Sequence, residues 1–328
     1  MSKYDNVEEL SLTEKWSADA RRAYCTLESM GEEWSVTNKD VDELMKGAID
    51  AHVHGAPDPL IDVGWDMAEI AKYACDAEMG ALVFKAHTIP TAATTLFVQN
   101  IVDEYAEQNE KKAPLIIGGV TLNSYVGGLN PKAVEMCIKL GGRVVWLPSH
   151  DGAHHNRVIG EPGGIELLTP AGKPLPELVE ILHMVKEADL VLDLCHSGTR
   201  ERFIILEEAN KIGLKRIMLT HPNWNVNKAS ADQQAEMAKM GAYVLLHFYT
   251  SVPHFNNPNC DPWEMLEIIE KVGVDKVIVA TDGGSVINTN PVEIMKIFIK
   301  ILLAMKVSPE DIKRMIKTNP AKLLGLEE

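Results

Sequence analysis

The sequence predicts an α/β protein built as a (β/α)8 barrel with a helical extension before it. Short, continuous apolar runs recur along the chain, each is followed by a stretch of helical length and pattern, and the cadence repeats eight times from Ala48 to Met305. Runs of unbroken Val, Ile and Leu mark strands covered on both faces, as in a parallel sheet, which excludes a one-sided antiparallel sheet. A doubly wound open sheet shares this cadence, and strand count alone does not separate it from a closed barrel.

Residues 1 to 46 form the extension. Trp16, Ala20, Tyr24 and Leu27 fall at roughly helical spacing between Glu14 and Met30, before a turn at Gly31, and Thr37-Asn38-Lys39-Asp40 starts a short second helix, Val41 to Met45. This segment carries no evident chemistry and reads as a cover over the barrel or as a subunit contact in a homo-oligomer. Residues 47 to 328 form the barrel. Its first strand is Ala48-Ile49-Asp50-Ala51-His52-Val53-His54-Gly55, where alternation puts both imidazoles on one side of the backbone.

Helix Trp65 to Met79 leads to strand Ala81 to Phe84, which ends in Lys85-Ala86-His87. Helix Thr91 to Asn109 leads to strand Pro114 to Leu122, helix Pro131 to Leu140 to strand Arg143 to Leu147, and helix Pro176 to Glu187 to strand Leu190 to Leu194. Helix Glu201 to Ile212 precedes strand Arg216 to Leu219, helix Ala229 to Met240 strand Ala242 to Leu246, and helix Pro262 to Val272 strand Lys276 to Ala280; helix Pro291 to Met305 closes the series. The connection from Ser149 to Leu175 is the longest in the barrel. It is expected to lack secondary structure and to act as a lid, with His154 and His155 as exposed polar residues.

A net charge of −15, with 47 acids against 32 Lys and Arg, disfavours a nucleic-acid or anionic-membrane partner, and a small-molecule substrate is expected. The N-terminus lacks the apolar core of a signal peptide, and no apolar run is long enough to span a bilayer. Five cysteines without C-x-x-C spacing read as buried thiols of a reducing compartment, so a cytoplasmic protein is expected.

In such a barrel the active site lies at the carboxyl ends of the strands. The residues there are His52 and His54, Lys85 and His87, Asn123, His150, His196, His221, His247 and Asp282, so seven of the eleven histidines gather at one rim. Several unrelated strands would have to place imidazole or carboxylate there by accident, and a divalent-metal site is the better explanation. Arg200, after His196-Ser197-Gly198-Thr199, is a candidate clamp for an anionic group.

His-x-His on the first strand, single histidines closing strands five and six, and an aspartate closing strand eight resemble the amidohydrolase superfamily of metal-dependent barrel hydrolases. Lys317-Thr318-Asn319-Pro320-Ala321 with its apolar continuation is similar to the segment that ends many members. The resemblance covers residues 48 to 326. It implies that His52, His54 and Asp282 bind one metal, that His196 binds that ion or a second, and that His221 is a second-metal ligand or a substrate contact. It further implies that Asp282 takes the proton of the attacking water. Zinc suits this set, with manganese or iron(II) as alternatives, and one or two ions per chain.

The chain departs from the superfamily pattern on strand four, which offers neither the lysine nor the glutamate that bridges two metals in binuclear members. Lys85 then either becomes a carboxylated bridge from strand two or remains an ammonium that pairs with a substrate carboxylate or phosphate. His87, Asn123, His150 and Arg200 are taken as substrate-binding candidates. The implied activity is hydrolysis of an amide, cyclic amide, lactone or related bond by an activated water. The alternatives are a mononuclear decarboxylase or deaminase of the same superfamily, or a phosphoesterase similar to the polymerase-and-histidinol-phosphatase family. That family shares the opening His-x-His but carries an aspartate on strand two that this chain lacks.

Overall fold

Eight parallel staves surround the site in a computed structural model that describes residues 37–253 and 260–326. The predicted helix at Glu14 to Met30 lies outside the described residues. In chain order the elements are α1 (Asn38–Met45), β1 (Ile49–His54), α2 (Met67–Asp76), β2 (Ala81–Lys85), α3 (Thr91–Gln108), β3 (Leu115–Ile117), β4 (Gly119–Thr121), α4 (Pro131–Lys139) and β5 (Val144–Trp146). They continue with α5 (Ala153–Ile159), α6 (Pro176–Glu187), β6 (Val191–Asp193), α7 (Thr199–Ile212), β7 (Ile217–Thr220), α8 (Ala231–Lys239), β8 (Tyr243–His247) and α9 (Phe248–Ser251). The chain ends in α10 (Pro262–Val272), β9 (Val277–Ala280), α11 (Pro291–Ala304), α12 (Pro309–Lys313) and α13 (Asn319–Leu324).

Every strand pairing is parallel, running β1-β2-β3 and β4-β5-β6-β7-β8-β9. The strand expected over Pro114 to Leu122 is divided at Gly118, because Thr91 wedges its hydroxyl there, donating to Phe84 O (2.7 Å) and accepting from Gly119 N–H (2.9 Å). No side chain fits at this crossing: a Cβ on Gly118 would lie 2.6 Å from Thr91 C, and one on Gly119 2.0 Å from Val144 O. β3 and β4 are thus two halves of one stave, bonded to β2 below the wedge and to β5 above it.

The ring closes between the last strand and the first. Asp282 N–H donates to His52 O (2.9 Å) and His54 N–H to Gly283 O (2.8 Å), while the buried Asp50 carboxylate accepts from Thr281 N–H (3.1 Å) and Thr281 Oγ1 (2.5 Å). These bonds join Asp282 directly to the His-x-His strand. An irregular register of β1 against β2 between Asp50 and Val53 adds local twist where the two histidines project.

Helix starts follow local chemistry. Asp66 and Glu69 form a reciprocal capping box on α2 and Ser230 and Gln233 on α8, and proline occupies the first turn of α4, α6, α10, α11 and α12. At the amino ends of the staves, Asn319 of α13 donates to Val274 O and Val277 O, both at 2.7 Å, and Arg143 to Leu324 O at 3.0 Å. The Asn-Pro-Ala segment therefore plugs the face opposite the histidines. Cys75, Cys137, Cys195 and Cys260 are unpaired thiols, and no helix among the described residues is long and apolar enough to cross a membrane.

The loop expected to be irregular holds helix α5. His155 on that helix is buried, against the expectation of exposure, because α5 folds inward over the stave ends. His154 is half-buried, with Nε2 2.9 Å from Val226 O.

A ring of eight histidines around a candidate metal centre

The imidazoles at the carboxyl ends of the staves form a closed ring. Consecutive ring centroids lie 5.3 Å apart for His52–His54, 4.8 Å for His54–His87 and for His87–His150, and 4.9 Å for His150–His155 and for His155–His196. The circuit continues at 5.1 Å for His196–His221, 5.4 Å for His221–His247 and 4.8 Å for His247–His52. Within it lies a cavity of about 360 Å³. Lys85, His54, His87, His150, His196, His221 and Asp282 line it, and Ile61, Trp224, Tyr249, Val286 and Ile287 add an apolar wall.

His52, His54 and Asp282 offer three ligand atoms within 4.8 Å of one another, with Nε2 of His52 and His54 at 3.4 and 3.2 Å from Asp282 Oδ1. The His52 tautomer suits a cation. Thr220 donates its hydroxyl proton to Asp193 Oδ2, so its oxygen can only accept from His52 Nδ1, 3.3 Å away; the His52 proton then sits on Nδ1 and Nε2 keeps a free lone pair. That Nε2 is buried and makes no hydrogen bond among the described residues. A buried lone pair aimed at a carboxylate is unfavourable without a positive charge between them, so these residues fit a divalent ion. Replacing Thr220 by valine is expected to weaken zinc binding about 10- to 100-fold, measured by calorimetric titration, because the proton on Nδ1 loses its acceptor.

His247 is different. Its Nδ1 accepts from His221 N–H (3.1 Å), so a neutral ring carries its proton on Nε2 and offers a donor instead of a lone pair. The Asn227 amide likewise donates to His221 Nδ1 (3.4 Å), leaving N–H on the His221 Nε2.

Burial holds most of these rings neutral. It lowers His52, His196 and His221 well below the usual histidine range and brings His150 and His247 to about 4, while His87 falls to about 3. For Asp282, burial works upward, but His52, the hydrogen bond with His54, His247 and His221 outweigh it and keep the carboxyl well below its ordinary value. Unfolded histidines titrate near 6.5, so between about pH 6.5 and 4 the unfolded chain binds more protons and stability falls as pH falls. Asp50, raised to about 7 mainly by burial, and Asp193, also raised by burial, work in the opposite sense, but they are two groups against several. The metal-free protein at pH 5 is expected to lose on the order of 2 kcal/mol per neutral-held ring relative to pH 7, read from urea midpoints.

The structure also places residues that the sequence reading passed over. Asp58, in the turn after β1, accepts from His87 N–H (2.8 Å) and lies 2.7 Å from His87 Nδ1, which directs the other ring nitrogen of His87 toward the cavity. Asp193 anchors Thr220, and His155 joins the ring. The buried arginine of α7 is Arg202, which donates to Asn227 O and Cys195 O, both at 2.8 Å. Arg200 is exposed, packs its guanidinium on Gly172 and is absent from the cavity lining. Asn123 is also outside the lining; it braces the rim by bonding His87 O and Ser149.

Lys85 is fully buried on the cavity floor. Its only hydrogen-bond partner among the described residues is Cys195 Sγ at 3.7 Å, and no carboxylate lies within 4.0 Å of it. Cys195, His221 and Asp282, at the ends of β6, β7 and β9, have φ of +43°, +31° and +52°. A turn of this hand aims each side chain or its neighbour across the barrel mouth, and it costs about 1–2 kcal/mol for a residue other than glycine.

Solved structures share this architecture. An amidohydrolase from Pseudomonas aeruginosa matches at 11% identity over 88% of this chain and 100% of its own, with a TM-score of 0.56. A metallo peptidase from Rhodobacter sphaeroides, liganded with a phosphinate mimic of L-Ala-D-Ala, matches at 12% over 85% and 99%, TM-score 0.58. An amidohydrolase from Burkholderia multivorans with bound zinc matches at 11% over 85% and 99%, TM-score 0.55. At these identities the likeness is one of fold, and it is the fold that the sequence resemblance implied. No curated protein matches the chain by sequence. The sequence model described as "Family of unknown function (DUF6282)" matches residues 47–245, more than half of the chain, and the protein belongs to that family.

Proposed function

We propose that the protein is a metal-dependent hydrolase that cleaves an amide, cyclic amide, lactone or related bond in a small molecule, with one divalent cation held by His52, His54 and Asp282. The observation that carries this reading is the buried, unpartnered His52 Nε2 facing Asp282 Oδ1 beside His54. The fold is shared with amidohydrolases, one of them with bound zinc, and a metallo peptidase, which supports the same reading. A divalent cation there supplies Lewis acidity, which brings water ionisation down to about pH 7 and polarises the bond under attack.

The chain's own groups do the remaining work. Asp282, ionised at neutral pH, accepts the proton of the attacking water. His221, with N–H on Nε2 and lining the cavity, donates to the oxygen on which charge develops. His87, whose Nδ1 faces Asp58 so that its other nitrogen presents a lone pair to the cavity, takes the water proton from Asp282 and passes it to the leaving group. Lys85 receives an anionic substituent of the substrate, since its ammonium has no carboxylate partner among the described residues. The apolar wall of Ile61, Val286 and Ile287 takes the rest of the molecule and excludes water.

Lys85 also favours a second reading, decarboxylation, because a buried ammonium is a receptor for a substrate carboxylate. Metal-loaded protein incubated in 18O-labelled water with a panel of anionic cyclic amides, lactones and aromatic carboxylates separates the two. Incorporation of 18O into product supports hydrolysis; release of carbon dioxide without it would replace hydrolysis by decarboxylation.

A further inference from the structure

We propose that the chain holds a second divalent cation on the opposite arc of the histidine ring, ligated by His150, His155 and His196, and that this ion fastens helix α5 over the cavity. The three imidazoles present ligand atoms within 4.8 Å of one another. His155 Nδ1 and His196 Nδ1 stand 2.9 Å apart in a buried setting. Two neutral rings so placed meet through one N–H···N hydrogen bond, and a cation can replace that single proton and take a lone pair from each nitrogen. His150, half-buried at the end of β5, touches His87, His155 and His196 through its ring and makes no hydrogen bond among the described residues.

This position is separate from the first. Around the ring it is divided from His52 and His54 by His87 on one side and by His221 and His247 on the other, so no residue ligates both ions. A bridging lysine or glutamate on strand four is then unnecessary, and its absence ceases to be an anomaly. Three imidazoles without a carboxylate select a borderline cation such as zinc or cobalt(II) over magnesium or calcium.

The ligands come from three places: the end of β5, the end of β6 and α5 in the long loop. An ion there couples loop position to metal occupancy. Helix α5 has other anchors, since His154 meets Val226 O and Arg157 pairs with Glu201 at 3.2 Å, so loss of the ion is expected to loosen α5 without unfolding the protein.

The proposal rests on the hydrolase reading only in sharing its cavity, and the test keeps the two apart. Zinc stoichiometry is measured by elemental analysis after gel filtration for wild type, His155→Ala, His155→Cys and His52→Ala, with protease cleavage of the 149–175 loop followed in parallel. Two zinc ions in wild type are expected to fall to one in either alanine variant, while His155→Cys, which restores a ligand, keeps two. Loop cleavage is expected to rise in His155→Ala alone. One ion in wild type, kept in His155→Ala and lost in His52→Ala, overturns the second site and leaves the first standing. One ion lost in His155→Ala and kept in His52→Ala supports the present site and overturns the first. No bound zinc in wild type overturns both.

Discussion

His52→Ala is expected to remove the cation from the His52–His54–Asp282 centre and to lower turnover by about 10³-fold or more. Lewis-acid stabilisation is worth several kcal/mol, and each 1.36 kcal/mol is a factor of ten. Two consequences of the geometry make the effect large. His52 sits on the stave that receives Asp282 N–H, and its Nε2 lone pair has no other use in the fold. Addition of zinc in excess is expected to restore little, since two of three ligands remain. Undiminished turnover in this variant would remove the centre from the chemistry.

Asp282→Asn is expected to leave most of the cation bound and still reduce turnover by about 10²- to 10⁴-fold, the usual range for a general base. An amide oxygen remains a ligand, but it does not accept a proton at neutral pH. The main-chain bond to His52 O is retained, and asparagine tolerates φ of +52° as well as aspartate does, so folding is not the cause of the loss. Metal analysis and turnover on the same preparation check the pair of outcomes. A fully active variant would assign proton transfer elsewhere, with the Asp58–His87 pair the nearest candidate.

The barrel was readable because parallel strands covered on both faces leave an unmistakable apolar run, and seven of the eight ring histidines stand where such a run ends. His155 was not, since it comes from a short helix inside a long loop, where no periodic pattern marks burial. Asp50 and Asp193 left a signal that went unused. Each lies on a fully buried strand, a position that aspartate occupies only when it has partners, here Thr281 and Thr220. Asp58 gave no such sign, because an aspartate between two prolines is what an ordinary turn contains. The choice of Arg200 over Arg202 is a matter of helix phase: the two lie about 200° apart around α7, and only the second faces the barrel.

The left-handed turns at His221 and Asp282 set stability against catalysis in the history of such a chain. A lineage that loses its substrate but is still selected for thermal persistence gains by relaxing them, since glycine adopts these angles without strain. Decay is therefore expected to begin at stave ends β7 and β9, with glycine or asparagine replacing the acting residues while the apolar staves and the Asn319 plug persist. Among descendants of this fold, glycine at either position would mark a protein that has kept its shape and given up its reaction.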